Sequence, residues 1–152
     1  MKQSPELGVT PDAQVEDQDH GRYMVMLLEA ARSIQERLEV VLAEVGLTSA
    51  KYQAIDALAR AGEPLTLSEL AGSLRCVRSN ITQLVDRLEA DGLVKRVDDP
   101  ADRRAVRAVV TPLGMDRRAD GTQAIAKLQD EVAAHVAPSE RAMLDRVLGA
   151  LK

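Results

Sequence analysis

Two short runs that alternate like strands, LVKRV (93–97) and AVRAVV (105–110), sit in a chain whose other apolar residues recur at helical spacing. Between them lies DDPADRR, rich in the Asp and Pro that favour turns. Directly before the first run stands Gly92. It closes a helical stripe at Ile81, Leu84, Val85 and Leu88, with spacing i, i+3, i+4, i+7. A hairpin must therefore leave a helix with no linker between them. That juxtaposition restricts the architectures open to the chain more than any other feature.

The segments upstream read as helices with clear punctuation. Apolar residues at Met24, Leu27, Ala31, Ile34, Leu38, Val41 and Val45 step by three and four, a seam about three heptads long. Gly46 ends it. Thr48 can cap a second helix, which runs through Tyr52, Ile55 and Leu58 to Gly62. Thr66-Leu67-Ser68-Glu69 matches a capping box and opens a short helix through Leu70, Ala71 and Leu74. After a turn at Arg75 to Arg78, Ser79 is a plausible cap for the helix that ends at Gly92.

Behind the hairpin, Thr111 caps a long helix with Pro112 in its first turn. This helix is expected to reach about Val136, with Gly114 and Gly121 weakening its first half. Pro138 is expected to open a last helix carrying Met143, Leu144, Val147, Leu148 and Leu151. The fold class is therefore mostly α with a small two-stranded β wing: a winged helix-turn-helix lobe plus a helical dimerisation region. Residues 1–17 read as a flexible acidic tail. Residues 18–152 read as one domain, with 48–111 as the lobe and 18–46 and 112–152 as the dimerisation helices.

Charge is uneven. The chain of 152 residues carries −4 overall, yet Arg75 to Arg107 holds eight basic and six acidic residues. The hairpin region is thus the positive pole of an acidic molecule, the sign expected of a surface that meets a polyanion. With no Trp or Phe, the chain lacks the aromatic platforms that hold single strands. The outward face of the helix before the hairpin carries Asn80, Thr82, Gln83, Asp86 and Arg87. Its first residues are short and polar, which suits approach to base edges in a major groove.

The segment LTLSELAGSLRCVRSNITQLVDRLEADGLVKRVDDPADRRAVRAVVTPLG (65–114), about a third of the chain, resembles the DNA-binding lobe of MarR-type transcriptional regulators. Its most specific parts are the Asp-x-Arg wing, Asp102-Arg103-Arg104, and the closing Thr111-Pro112-Leu113-Gly114. The resemblance implies a homodimer on a palindromic duplex operator, usually a repressor released by a small molecule or an oxidant. It implies that a wing-tip arginine enters the minor groove. Arg103 is favoured for that role, and Arg104 for pairing with Asp102. Ser79, Asn80, Thr82 and Gln83 are the base-edge candidates, and Arg75 and Arg78 the phosphate candidates. Many family members carry a basic residue where Gln83 stands.

The resemblance further implies a dimer interface built on Met24, Leu27, Ala31, Ile34, Met143, Val147 and Leu151. It also implies an effector cleft that Tyr23, Met26, Arg32 and Tyr52 could line. Two other readings stay open. Cys76, flanked by Arg75 and Arg78, could sense oxidants through a lowered thiol pKa. A winged-helix module that binds only protein is the other, disfavoured by the basic pole. No paired carboxylates, nucleophile elbow or phosphate loop points to an enzyme. His20 and His135 lack cysteine partners, so no metal or cofactor is expected. One cysteine, no secretory signal and no apolar run longer than Met24 to Leu28 point to the cytoplasm rather than a membrane.

Overall fold

The structure, a computed structural model, describes residues 11–74, 78–100, 102 and 105–151, with side chains from residue 21 onward except those of Arg78 and Ser79. The elements in order are α1 (Pro11–Ala43), α2 (Ser49–Ala61), β1 (Leu65–Thr66), α3 (Leu67–Ser73), α4 (Arg78–Ala90), β2 (Val94–Asp98), β3 (Val106–Val110), α5 (Pro112–Ala134) and α6 (Arg141–Ala150). The chain divides between Glu36 and Arg37 into two units.

The N-terminal unit is the greater part of α1. It starts at Pro11, so residues 11–17, expected in a tail, are helical; residues 1–10 lie outside the described residues. Pro in the first turn loses no hydrogen bond. Tyr23, Met24, Met26, Leu28 and Ile34 are exposed, and Leu27 is at the margin.

In the second unit, α1 stops in a Schellman turn. Gly46 takes φ 75°, the Leu47 amide donates to Leu42 O at 2.9 Å, and the Gly46 amide donates to Ala43 O at 3.0 Å. Leu42 and Leu47 are both buried, so the turn seals its own apolar contact. Thr48 Oγ1 accepts the Lys51 amide at 3.3 Å and caps α2, which ends at left-handed Gly62. Thr66 and Glu69 form the full capping box of α3. α4 begins at Arg78, one residue before the predicted cap, and places Ser79 in its first turn.

The sheet is antiparallel in the order β1-β3-β2. The wing is the predicted hairpin, with Val94 opposite Val110 and Asp98 opposite Val106. The third strand corrects the two-stranded expectation. Leu65 pairs with Ala108 and Thr66 with Arg107. Two residues are too short a stretch for alternation to show. The core is drawn from the end of α1, α2, α3, α4 and β2, with Leu42, Ile55, Leu70, Ile81, Leu88 and Val94 fully buried.

The backbone at Gly92 and Leu93 joins α4, the wing and α5. Gly92 takes φ 72°, and the Leu93 amide donates to Leu88 O at 2.9 Å. The Leu93 carbonyl accepts the Thr111 amide at 3.0 Å, while Thr111 Oγ1 donates to Gly92 O at 2.7 Å. Thr111 Oγ1 also accepts the Gly114 amide at 3.0 Å and so caps α5. The glycines of α5, expected as weak points, are close-approach sites. A Cβ on Gly114 would lie 2.1 Å from Leu93 O, and one on Gly121 would lie 2.8 Å from the Tyr52 ring.

α5 ends at Ala134, near the expected boundary. α6 begins three residues later than Pro138, because Glu140 first closes a turn with Ala137 through its own amide at 2.9 Å and its carboxylate at 3.0 Å. α6 buries nothing within the chain: Met143, Leu144, Val147 and Leu148 are all exposed, as is Leu151 just beyond it.

The two α5 glycines should differ in tolerance. Gly114→Ala forces a backbone carbonyl to move and is expected to destabilise by about 3 kcal/mol, the upper range for overpacking. Gly121→Ala meets side chains rather than backbone, the Tyr52 ring edge and Leu47 Cδ1, and gains about 1 kcal/mol of helix propensity, so its loss should be smaller. Urea denaturation of both variants checks this. Equal stabilities would contradict the close approach at Leu93.

Candidate nucleic-acid interface

α4 is fixed from below. Ile81, Val85 and Leu88 are buried and hold its inner face, and Leu84 is half-buried. Its outer face splits into two rows, because residues three and four apart share a side of a helix. Asn80, Gln83 and Arg87 form one row. With Ala50 and Gln53 of α2 and with Leu74 they line a cleft of about 340 Å³. Thr82, Asp86 and Glu89 lie on the other side, and Thr82, like Asn80 and Gln83, is exposed.

The second row meets the wing. The Arg96 guanidinium on β2 spans both carboxylates, with Nη1 on Glu89 and Nη2 on Asp86. The Arg96 amide also donates to Glu89 Oε1 at 3.1 Å. Burial alone would lower the Arg96 pKa, but the hydrogen bonds Arg96 donates to Asp86 and Glu89, with their charges, outweigh burial and raise it. The hairpin is thereby tied to the helix that precedes it.

A second tie acts at the other side of the wing. Strand alternation puts Arg96 with Val94 and Ala108 on one face of the sheet and Arg107 with Val97 on the opposite face. Arg107 Nε donates to Asp99 Oδ2 at 2.7 Å, and Nη1 donates to the Pro64 carbonyl at 3.0 Å. The hydrogen bond to Asp99 raises the Arg107 pKa. Asp99 is 6% exposed, and it is the buried charged residue among those described.

The positive pole is therefore smaller than a charge count implies. Arg96 and Arg107, both in that count, are engaged with carboxylates inside the lobe. Arg87 and Lys95 are exposed and make no ion pair among the described residues. The signal for these pairings was faint. Asp86 and Glu89 stand at i, i+3, but their partner depends on where β2 returns.

Arg75, Cys76, Arg103 and Arg104 lie outside the described residues, as do the side chains of Arg78 and Ser79. The loop bearing the two wing arginines is framed by Asp99, whose amide donates to Ala105 O at 3.1 Å and whose Oδ1 accepts the Asp102 amide at 3.3 Å. Of the effector candidates, Tyr23 and Met26 are exposed in the N-terminal unit, where Arg32 pairs with Glu36 at 2.8 Å. In the second unit the Tyr52 hydroxyl bonds Thr122 Oγ1 at 3.0 Å, and its ring sits against Gly121. A cleft of about 330 Å³ between the end of α1 and α5 is lined by Val41, Val45, Gln123 and Leu128 among others, not by Tyr52. The interface candidates Met24, Ala31, Ile34, Met143, Val147 and Leu151 are exposed, and Leu27 is 36% exposed. No group of metal-ligating side chains occurs among the described residues, and no helix among them is long and apolar enough to cross a membrane.

Residues 45–105 match the model of the MarR family. The chain carries a winged helix-turn-helix lobe similar to that of the MarR family. The uncharacterised HTH-type transcriptional regulator YsmB of Bacillus subtilis is 34% identical over 88 residues, 58% of this chain and 60% of that protein. A putative transcriptional regulatory protein for the hcr operon of Thauera aromatica is 32% identical over 107 residues, 70% of this chain and 62% of its own length. The chain thus spans about 60% of the length of these relatives.

The MarR fold extends beyond the matched lobe. A putative MarR-like regulator from Bacillus cereus superposes with TM-score 0.78 at 19% identity, over 88% of this chain and 96% of that one. A mutant MarR from Escherichia coli, solved with operator DNA, gives TM-score 0.71 at 24% identity, over 90% and 95%.

The Arg96 tie sets a stability expectation for the winged helix-turn-helix lobe. Arg96→Ala leaves Asp86 and Glu89 facing each other without their cation. The pair is partly exposed, so the loss should be about 1 kcal/mol rather than that of a fully buried bridge. Thermal melting checks it, and an unchanged Tm would mean that packing alone holds the wing on α4.

Proposed function

We propose that this chain is a transcription regulator that binds a duplex operator as a homodimer, acting as a repressor in the cytoplasm. The observation that carries the reading is the exposed polar row Asn80, Gln83 and Arg87 on a helix whose neighbouring wing is fastened to it by Arg96. A helix with polar ends outward and a hairpin beside it suits major-groove entry with a flanking minor-groove contact. Asn80, Thr82 and Gln83 are the base-edge residues of this proposal, together with Ser79. Arg75 and Arg78 serve phosphates, and Arg103 or Arg104 the minor groove. The family match and the neighbour solved with operator DNA support it.

Homodimerisation rests on apolar side chains the chain leaves in water. α6 exposes Met143 and Val147, with Leu151 next to it, and the N-terminal unit exposes Met24 and Ile34 beside Leu27. Such surface favours burial against a second copy. The proposed switch is a small-molecule effector that binds the DNA-free state better than the DNA-bound one. Oxidation of Cys76 is the alternative switch, and it rests on the sequence alone.

A gel shift against DNA upstream of the chain's own coding region tests the reading. Arg103→Ala should weaken binding by about 1–3 kcal/mol and shallow its salt dependence. Gln83→Ala should change which sequence is preferred and leave the salt slope nearly intact. Affinity and preference unchanged in both variants would refute the contact scheme.

Dimerisation has its own check. Sedimentation at micromolar concentration should show a dimer, and Leu27→Glu should weaken both assembly and DNA binding, since two half-sites need two linked lobes. A wild-type monomer that binds DNA at full affinity would rule the dimer out.

A further inference from the structure

We infer that Arg107 is a positioning residue that sets the wing tip relative to the helix-turn-helix. The inference rests on the DNA-binding reading for its functional consequence and on geometry for its mechanism. Arg107 sits on β3 opposite Thr66, and its guanidinium crosses from the wing to the junction that precedes α3. Nη1 donates to the Pro64 carbonyl at 3.0 Å and lies 3.5 Å from Glu69 Oε2. Nε donates to Asp99 Oδ2 at 2.7 Å.

Each end of this bridge is itself fastened. Glu69 Oε2 accepts the Thr66 amide at 2.7 Å and the Thr66 hydroxyl at 2.9 Å, so the carboxylate near Arg107 belongs to the α3 cap. Asp99 uses its other oxygen, Oδ1, for the Asp102 amide at 3.3 Å. A continuous path therefore runs from the α3 cap and Pro64 through Arg107 and Asp99 to the backbone of Asp102. Asp102 is the residue directly before Arg103.

The chemistry requires a guanidinium. Its planar fork offers several donors in fixed directions and can serve a carboxylate and a carbonyl at once. An ammonium on a flexible stem keeps the charge but is not a rigid fork. Asp99 is a buried carboxylate, so losing the Arg107 guanidinium weakens the compensation of a charge held out of water. Arg107 is thus withheld from solvent phosphates and acts on DNA through the tip it aims.

The test uses Arg107→Lys and Asp99→Asn in the full chain. Hydrogen exchange is read first, because it needs no DNA. Both variants should speed exchange of the Asp102 and Ala105 amides while the α4 core amides stay protected. Unchanged wing-tip exchange overturns the inference, whether or not the protein binds DNA. General loss of protection in both variants also overturns it, since Arg107 would then serve global stability.

Binding is read second. Arg107→Lys should weaken operator binding about tenfold, the size of one lost wing contact. It should remove hydroxyl-radical protection at the operator flanks and leave protection of major-groove guanines from methylation. In the double variant Arg103→Ala with Arg107→Lys, affinity should match Arg103→Ala alone, because both act through the same tip. Independent, multiplicative losses would overturn the positioning role. A wild-type protein that binds no duplex, combined with faster wing-tip exchange in the variants, would sink the DNA-binding reading and leave the mechanical tie standing.

Discussion

The backbone of Leu93 is where the lobe is joined. Its amide donates to the Leu88 carbonyl at the end of α4, and its carbonyl accepts the Thr111 amide at the exit of the wing. Gly114 then brings the first turn of α5 against the same carbonyl. Helix, hairpin and long helix meet at one backbone position with no side chain between them. The geometry needs a left-handed residue at 92 and no Cβ at 114, so two glycines of quite different kinds serve one junction.

Around that junction the arginines divide between two tasks. Arg96 and Arg107 face acids of the same lobe and fasten the wing from its two faces. Arg87 and Lys95 remain exposed. A tally of basic residues cannot separate these groups, because the separation depends on register. Lys95 and Arg96 are neighbours in sequence, and a strand turns them to opposite faces. One meets solvent and the other meets α4.

This contrast also explains which parts of the protein could be read in advance. Thr48, Thr66 with Glu69, Thr111, Gly46, Gly62 and Gly92 mark boundaries through chemistry acting over three to five residues, and their caps and turns stand where the spacing puts them. The inner stripe of α4 follows from helical period alone. β1 was missed because its two residues gain strand character only by meeting Ala108 and Arg107, which lie far along the chain. The close approaches at Gly114 and Gly121 were not foreseen, because they depend on Leu93 and Tyr52. In the candidate site, the polar row of α4 was legible and the arginine ties were not, for the same reason of distance along the chain.

The two-sided fastening of the wing has a consequence for conformational entropy. A hairpin joined only at its base would sample many tilts in solution and lose them on meeting a partner, weakening association by the cost of that ordering. Here Arg96 restrains the sheet from the α4 side, and Arg107 restrains it from the α3 side. Most of the rocking freedom is surrendered when the lobe folds. α4 and the wing then present one rigid surface, and a partner that touched both would lose less contact energy to ordering.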